Sequence, residues 1–406
     1  MQRPGKFIPV FYTRGLNAPY TEGHIQIVRM ITKSLMLYGI KSVIFNFKYH
    51  VDESQPEDDF IREFRIQQRI PIIGRESLIS SRRRAILAYS LLMETIKLPK
   101  FLLFENALKH RNYVVNIVNC FRYPRIFVKK MLKAPIILHF YFPHLHGRYM
   151  MTLFANEADL IIASSQGVAK YLKRQGVIKE KIAIVYPPVD TALYKPLSKH
   201  LVRAKLGLPK EAKIILYIGD LRPTRFPDVK VLRVMEELAK EFPEALLLIF
   251  TPESNSNIKR AHEILRKAEI LSLADRVKVY VKNLSEKEKR SIYAACDIFF
   301  FPESGSRTAV EPPLTALEAM ASGVVVFAPK LSALSEIIAN DENGFLFETN
   351  DSTILSNKLA DLLTDRDLRL KIFQNARQTI LNKASLATAG KEIIRLQKSL
   401  LERESF

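Results

Sequence analysis

Asp297-Ile-Phe-Phe-Phe301 runs into Pro302-Glu-Ser-Gly-Ser-Arg-Thr-Ala-Val-Glu311, then Pro312-Pro-Leu-Thr-Ala-Leu-Glu-Ala-Met-Ala-Ser322, Gly323 and Val324-Val-Val-Phe327. An unbroken apolar run such as Ile298 to Phe301 reads as a strand buried on both faces. The loop after it is rich in small and hydroxyl residues. It feeds a helix from Pro312 to Ser322 whose first turn carries two prolines, where no backbone N–H is needed. A second buried strand follows at once. Strand, crossover helix and strand at this spacing form a right-handed parallel unit.

The same alternation extends outward on both sides. Lys213-Ile-Ile-Leu-Tyr-Ile-Gly219, Ala245-Leu-Leu-Leu-Ile-Phe250 and Val277-Lys-Val-Tyr-Val281 read as strands, with amphipathic helices over 227–242 and 256–271. Ser285 followed by Glu288 marks the start of a short helix, and residues 331–340 are predicted to form another. In the first half, strands are expected at 7–12, 41–47, 113–118, 135–140 and 160–163. Helices are expected at 23–38, 82–95, 122–132, 147–156 and 167–174, while the polar stretch 51–81 receives no element. Two adjacent prolines in Val185-Tyr-Pro-Pro-Val-Asp190 suit a hinge. The expected organisation is an N-terminal domain over 1–186, a second domain over 187–385, and a terminal helix over 386–406 returning to the N-terminal domain. Gly390 weakens the first turn of that helix. The fold class is α/β, with two Rossmann-like, doubly wound domains facing across a cleft.

Composition narrows the functional classes. The 406 residues are 48% apolar and 26% charged, which excludes a disordered chain. No run approaches the roughly 18 uncharged apolar residues of a membrane span, and the first residues lack the pattern of a signal peptide. Two cysteines, Cys120 and Cys296, make no disulfide framework, so a cytoplasmic protein with reduced thiols is expected. The net charge is +20 and is unevenly placed. Residues 1–186 hold 29 Lys/Arg against 13 Asp/Glu, whereas residues 187–406 hold 33 against 29. The first half therefore suits nucleic acid, an anionic membrane or phosphorylated substrates. Phe121-Arg-Tyr-Pro-Arg-Ile-Phe-Val-Lys-Lys-Met-Leu-Lys133 interleaves cations with apolar residues at near-helical spacing, as membrane-surface helices do. A helix packed on its own sheet with solvated cations has the same pattern.

Ligands of parallel sheets bind beyond the carboxyl ends of the strands, and a helix start there favours an anion. Four segments meet that description. In the loop after Phe301, Ser304 and Thr308 offer hydroxyls, and Glu318 lies two turns into the helix, placed to accept from a sugar or ribose diol. Gly219-Asp-Leu-Arg-Pro-Thr-Arg225 follows a strand with Arg222 and Arg225, which suit a leaving diphosphate. Ile136-Ile-Leu-His-Phe-Tyr-Phe-Pro-His-Leu-His146 ends a strand near His139, with His144 and His146 in the loop beyond. No carboxylate or cysteine at ligand spacing joins these three histidines, so zinc is a poor reading. A buried, structural His139 stands open beside a functional one. Thr13 to His24 links the first strand to a long helix, with Gly15 and Gly23 in the turn. Asp365-Arg-Asp367 reads as a solvated helical face, and no Walker loop, Gly-x-Gly-x-x-Gly or His-Glu-x-x-His is present.

Glu311-Pro-Pro-Leu-Thr-Ala-Leu-Glu-Ala-Met-Ala-Ser-Gly-Val-Val-Val, followed by Ser335-Glu-Ile-Ile and Asn343-Gly-Phe-Leu346, resembles glycosyltransferase family 4. Ala158-Asp-Leu-Ile-Ile-Ala-Ser-Ser and Val185-Tyr-Pro-Pro-Val-Asp190 resemble its segments before the hinge, so the likeness spans about 155–385. The resemblance implies a GT-B fold and a retaining, metal-independent transfer from a nucleotide sugar, with no other cofactor. It implies catalytic roles for His139, Glu311 and Glu318, and donor binding by Gly23, Gly219, Arg222, Arg225, Ser304, Thr308 and Glu318. The family's upstream Glu falls here on Val310, so either Glu311 takes that role after a local shift in the loop or the sugar is held differently, with Glu303 a further candidate. Asp220 stands at the family's Arg position. The acceptor implied is a glycan or lipid-linked molecule, at an anionic membrane surface on the cytoplasmic face, and no nucleic acid is expected. A non-catalytic nucleotide-sugar-binding protein and a basic nucleic-acid-binding protein are the alternative readings.

Overall fold

The computed structural model describes residues 7–13, 23–46, 61–65, 113–118, 134–141, 155–303, 311–331, 333–348 and 350–404. The chain divides into two compact units, one of Met1–Pro187 with Ala389–Phe406 and the other of Pro188–Thr388. The expected helices at 82–95 and 122–132, and most of that at 147–156, lie outside the described residues.

Among the described residues, the first unit has seven strands: β1 (Ile8–Thr13), β2 (Ser42–Asn46), β3 (Ile61–Arg65), β4 (Tyr113–Val118), β5 (Ile136–Phe140), β6 (Leu160–Ala163) and β7 (Ile182–Ile184). They pair in parallel in the order β3-β2-β1-β4-β5-β6-β7. Its described helices include α1 (Gly23–Met36) and α2 (Gln166–Arg174). Every residue of β4 and β5 is buried, which explains why the apolar runs there are continuous. The edge strands escape that rule. β3 lies inside the polar stretch that receives no element from the sequence: among the described residues Ile-Arg-Glu-Phe-Arg pairs with β2 alone, and an edge tolerates a charged sequence. The three half-buried residues of β7 carry as little signal for the same reason.

The second unit runs α3 (Lys199–Leu206), β8 (Lys213–Ile218), α4 (Asp228–Glu241), β9 (Ala245–Thr251), α5 (Asn255–Ile270), β10 (Val277–Val281), α6 (Glu286–Ala295), β11 (Ile298–Phe300), α7 (Leu314–Ala321), β12 (Val325–Pro329), β13 (Phe345–Phe347), α8 (Ser352–Thr364) and α9 (Arg366–Lys383). Its parallel sheet has the order β10-β9-β8-β11-β12-β13, so the direction of winding reverses between β8 and β11. Val231, Val234, Met235 and Leu238 of α4 pack into the main core with Ile215, Tyr217, Leu247 and Phe300. Asp297 fastens the start of β11 to β8: it accepts from Ile214 N at 2.8 Å and pairs with Arg203 at 2.8 Å and Lys199 at 2.7 Å. Burial raises the cost of its charge, but Lys199 and Arg203 outweigh that and hold its carboxyl below the usual range.

Residues 331–340 do not form the expected helix. Ser335 N and Ile338 N make helical bonds to Leu331 O and Leu334 O. The Asn343 amide then takes Ala339 N at 2.7 Å and donates to Ile337 O at 2.9 Å, so the ladder stops after one turn. The last helix, α10 (Leu386–Glu404), belongs to the first unit from Ala389 onward. Its Gly390 has a packing reason: a Cβ there would stand 2.5 Å from the Ser34 carbonyl oxygen of α1.

Candidate functional site

The turn after β8 is pinned from two sides. Arg225 N and Phe226 N both bond to Arg222 O at 2.8 Å. Asn257 of α5 takes Leu221 N at 3.1 Å, and Arg260 Nε donates to Leu221 O at 3.2 Å. Under the turn, the Tyr217 hydroxyl donates to Asp220 O at 2.7 Å, and burial pushes that phenol far up. A Cβ on Gly219 would meet the same hydroxyl at 2.6 Å, so glycine is required for close approach.

This turn presents Arg225 to the next strand. Its Nη1 pairs with Glu303 Oε2 at 2.9 Å, just beyond the carboxyl end of β11, with the Arg225 side chain 21% exposed and that of Glu303 1%. The pair therefore sits where the winding reverses, the position at which open parallel sheets bind ligands. Arg225 Nε is buried and has no hydrogen-bond partner among the described residues. Arg222 differs: its Nε is taken by Asp220 at 2.7 Å on the open surface.

Glu318 forms a second cluster in the same unit. It is buried in α7, with Lys289 Nζ donating to Oε1 at 2.8 Å. The Tyr293 hydroxyl stands 2.9 Å from Oε2 and 3.1 Å from Thr315 O, so its one proton serves both. Both Lys289 and Tyr293 come from α6, whose Ser285–Glu288 capping box forms as the sequence predicts. Lys289 Nζ also lies 5.4 Å from the centre of the Tyr194 ring. Burial, and next to it the charge of Glu318, push both phenols well above their ordinary range.

In the first unit, His139 is fully buried, and not at an open strand end. Its Nε2 lies 3.0 Å from Asn116 Oδ1, which also accepts from Gln397 Nε2 of α10 at 3.1 Å. Asn116 Nδ2 donates to Val114 O, so Oδ1 is an acceptor and His139 Nε2 must carry the proton. Nδ1 then accepts from the Tyr141 hydroxyl at 3.2 Å. Burial lowers the imidazole to about 3. With both nitrogens engaged and the ring neutral, His139 here is a positioning group of the core, in place of the ligand-facing residue the resemblance implies. His144, His146, Ser304, Thr308 and Gly15 lie outside the described residues.

Gly23 is the first residue of α1. Glu311 is half-buried ahead of α7, and Asp365 caps α9 through Leu368 N at 2.8 Å. The structure thus joins Arg225 to Glu303 and Glu318 to Lys289 and Tyr293. Lys289, Tyr293, Asn116 and Gln397 were not legible as site residues. The available signal was Lys289 itself, a lysine in the register of the buried Ile292 and Tyr293.

Residues 198–379 match the sequence model of the family described as glycosyl transferases group 1. D-inositol 3-phosphate glycosyltransferase of Nocardia farcinica is 29% identical over 213 residues, covering 52% of this chain and 46% of that protein. The chain spans about half the length of the curated relatives it matches. Among solved structures, sucrose-phosphate synthase of Thermosynechococcus elongatus aligns with a TM-score of 0.77 at 17% identity, covering 98% of this chain and 100% of its own. Anabaena HepE, crystallised with UDP and glucose, aligns with a TM-score of 0.70 at 17% identity, over 96% and 99%. These structures share the GT-B architecture of two parallel α/β sheets. Over residues 198–379, a little under half of its length, the chain is thus similar to the glycosyl transferases group 1.

Proposed function

We propose that this protein is a retaining glycosyltransferase whose second unit binds a nucleotide-sugar donor. The observation that carries the reading is Arg225, fixed by its turn at the point of reversed winding, its buried Nε without a hydrogen-bond partner among the described residues. As the glycosidic bond breaks, charge grows on the departing diphosphate, and a guanidinium beside it favours that change. Arg222 and Arg225 would meet this charge with no metal ion. Glu318, ionically held by Lys289, would accept hydrogen bonds from a diol of the donor. The family match and the UDP and glucose bound to HepE support the donor class. The basic first unit would serve a glycan or lipid-linked acceptor, with the protein peripheral on the cytoplasmic membrane face, in place of nucleic acid.

Thermal shift with UDP, GDP and ADP, followed by turnover of their sugar conjugates, tests the reading. The expected result is stabilisation by one of these diphosphates, lost in Arg225→Ala, and transfer abolished in Glu318→Ala with circular dichroism unchanged. Binding without turnover would favour a non-catalytic nucleotide-sugar-binding protein. No stabilisation and no turnover with any of them would overturn the proposal.

A further inference from the structure

A cavity of about 300 Å³ lies in the second unit among residues that precede β11 and β12, at the end of the sheet opposite Arg225 and Glu303. Small-molecule sites run from roughly 300 to 1,000 Å³, so the space suits a compact ligand. One wall is a face of α9 on which Arg366, Arg369, Leu370 and Phe373 recur at helical spacing. Pro196, Leu197 and Val324 extend the apolar lining. The carboxylate of the lining, Asp297, is already neutralised by Lys199 and Arg203 and accepts from Ile214 N. Arg366 and Arg369 have no carboxylate within ion-pair distance among the described residues. Asp365 beside them caps Leu368 N, and Asp367 does not line the cavity. Arg369 gives one of its five N–H donors to Leu362 O at 2.6 Å. Cations at the start of a helix oppose its macrodipole, and an anion held between them offsets that cost.

Ser322 is an independent sign of a ligand. It lines the cavity and is 3% exposed, and its Oγ has no hydrogen-bond partner among the described residues. A buried hydroxyl without a partner is costly, and a ligand oxygen would satisfy it. An inorganic ion alone would leave the apolar wall uncovered. We infer that this cavity is a second binding site, for a compact organic anion with an apolar body. Its phosphate or carboxylate would be held by Arg366 and Arg369, its body would cover Leu370 and Phe373, and Ser322 would donate to one of its oxygens. Tyr293, whose hydroxyl lies 2.9 Å from Glu318 Oε2, also lines the cavity, so an occupant would rest against the support of that carboxylate.

The test uses the full chain, with Arg366→Glu and Leu370→Glu as variants and Arg225→Ala as the control for the opposite end of the sheet. Arg366 and Leu370 are exposed, so the fold accepts either new charge, as unchanged circular dichroism would verify. Calorimetry should show phenyl phosphate or benzoate binding the wild type and Arg225→Ala alike, and binding both glutamate variants at least about tenfold more weakly. Inorganic phosphate and phenol each lack half of the recognised chemistry and should bind at least about tenfold more weakly than the aromatic anion that binds. No binding of either aromatic anion to the wild type would overturn the inference, as would unaltered binding in both glutamate variants. Binding lost in Arg225→Ala and kept in Arg366→Glu would move the anion to the other end of the sheet. Inorganic phosphate binding as tightly as phenyl phosphate would remove the apolar body and the inference with it.

Discussion

The buried imidazole of His139 makes the first unit sensitive to acid in a way that can be worked out. The ordinary histidine value is 6.5, and burial lowers His139 to about 3. Below about pH 6.5 the unfolded chain gains a proton at this residue and the folded protein does not. Stability is therefore present above that value and is lost as the pH falls toward 3. The slope is roughly 1.4 kcal/mol per pH unit for one proton, so lowering the pH from 6.5 to 5 removes about 2 kcal/mol. Other groups titrate in the same range, so the effect must be read as a difference. His139→Gln keeps an N–H toward Asn116 Oδ1 but cannot titrate. Urea unfolding of both proteins, followed by circular dichroism at about pH 7, 6 and 5, should show wild type losing about 2 kcal/mol more than the variant across that range. Imidazole nitrogen spectra should keep the Nε2-protonated form at about pH 5. Parallel stability curves, or an imidazolium signal at that pH, would refute the buried network.

Two further outcomes are expected. Gly390→Ala favours the helix by about 1 kcal/mol, but its Cβ would lie 2.5 Å from the Ser34 carbonyl oxygen, which is backbone and cannot swing aside. Overpacking of this kind costs roughly 1–3 kcal/mol, so the variant should melt at a lower temperature; a rise in Tm would show that α10 is not seated on α1 as described. If the basic first half binds membranes, with about 1 kcal/mol per cation near an anionic surface, co-sedimentation with anionic liposomes should be strong at low salt and weak at high salt. Equal binding to neutral liposomes would exclude that electrostatic attachment.

The apolar patterning of residues 213–329 places β8 to β12 within two residues of where they lie: β8, β9, β11 and β12 are central and apolar on both faces, and the edge strand β10 keeps a clean alternation. Edges and long-range polar contacts are where that logic fails. Among the described residues β3 pairs with β2 alone, and its charged sequence hides it. The would-be helix at 331–340 is undone by the side chain of Asn343, which lies beyond its end and which no window of periodicity includes. The candidate site divides in the same manner. Arg225 and Glu318 are legible because strand ends and helix starts announce them. Lys289 comes from a helix 29 residues earlier than Glu318, and Gln397 lies 281 residues from the Asn116 it contacts. Only the folded chain brings such residues together.

The two sheets reverse their winding in the same manner, yet they furnish the reversal point with opposite chemistry. In the first unit the reversal lies between β1 and β4, and Asn116 of β4 sits in register with Phe11 of β1. Asn116, His139, Tyr141 and Gln397 form a neutral network there, in which each imidazole nitrogen has one partner. An incoming anion would find no unsatisfied donor on His139 and would have to break bonds in a dry core. Between β8 and β11, by contrast, stands Arg225, whose Nη1 pairs with Glu303 at 2.9 Å and whose buried Nε has no hydrogen-bond partner among the described residues. The same topology thus carries a neutral network at the reversal point of one unit and a guanidinium–carboxylate pair at that of the other, and the side chains there decide which.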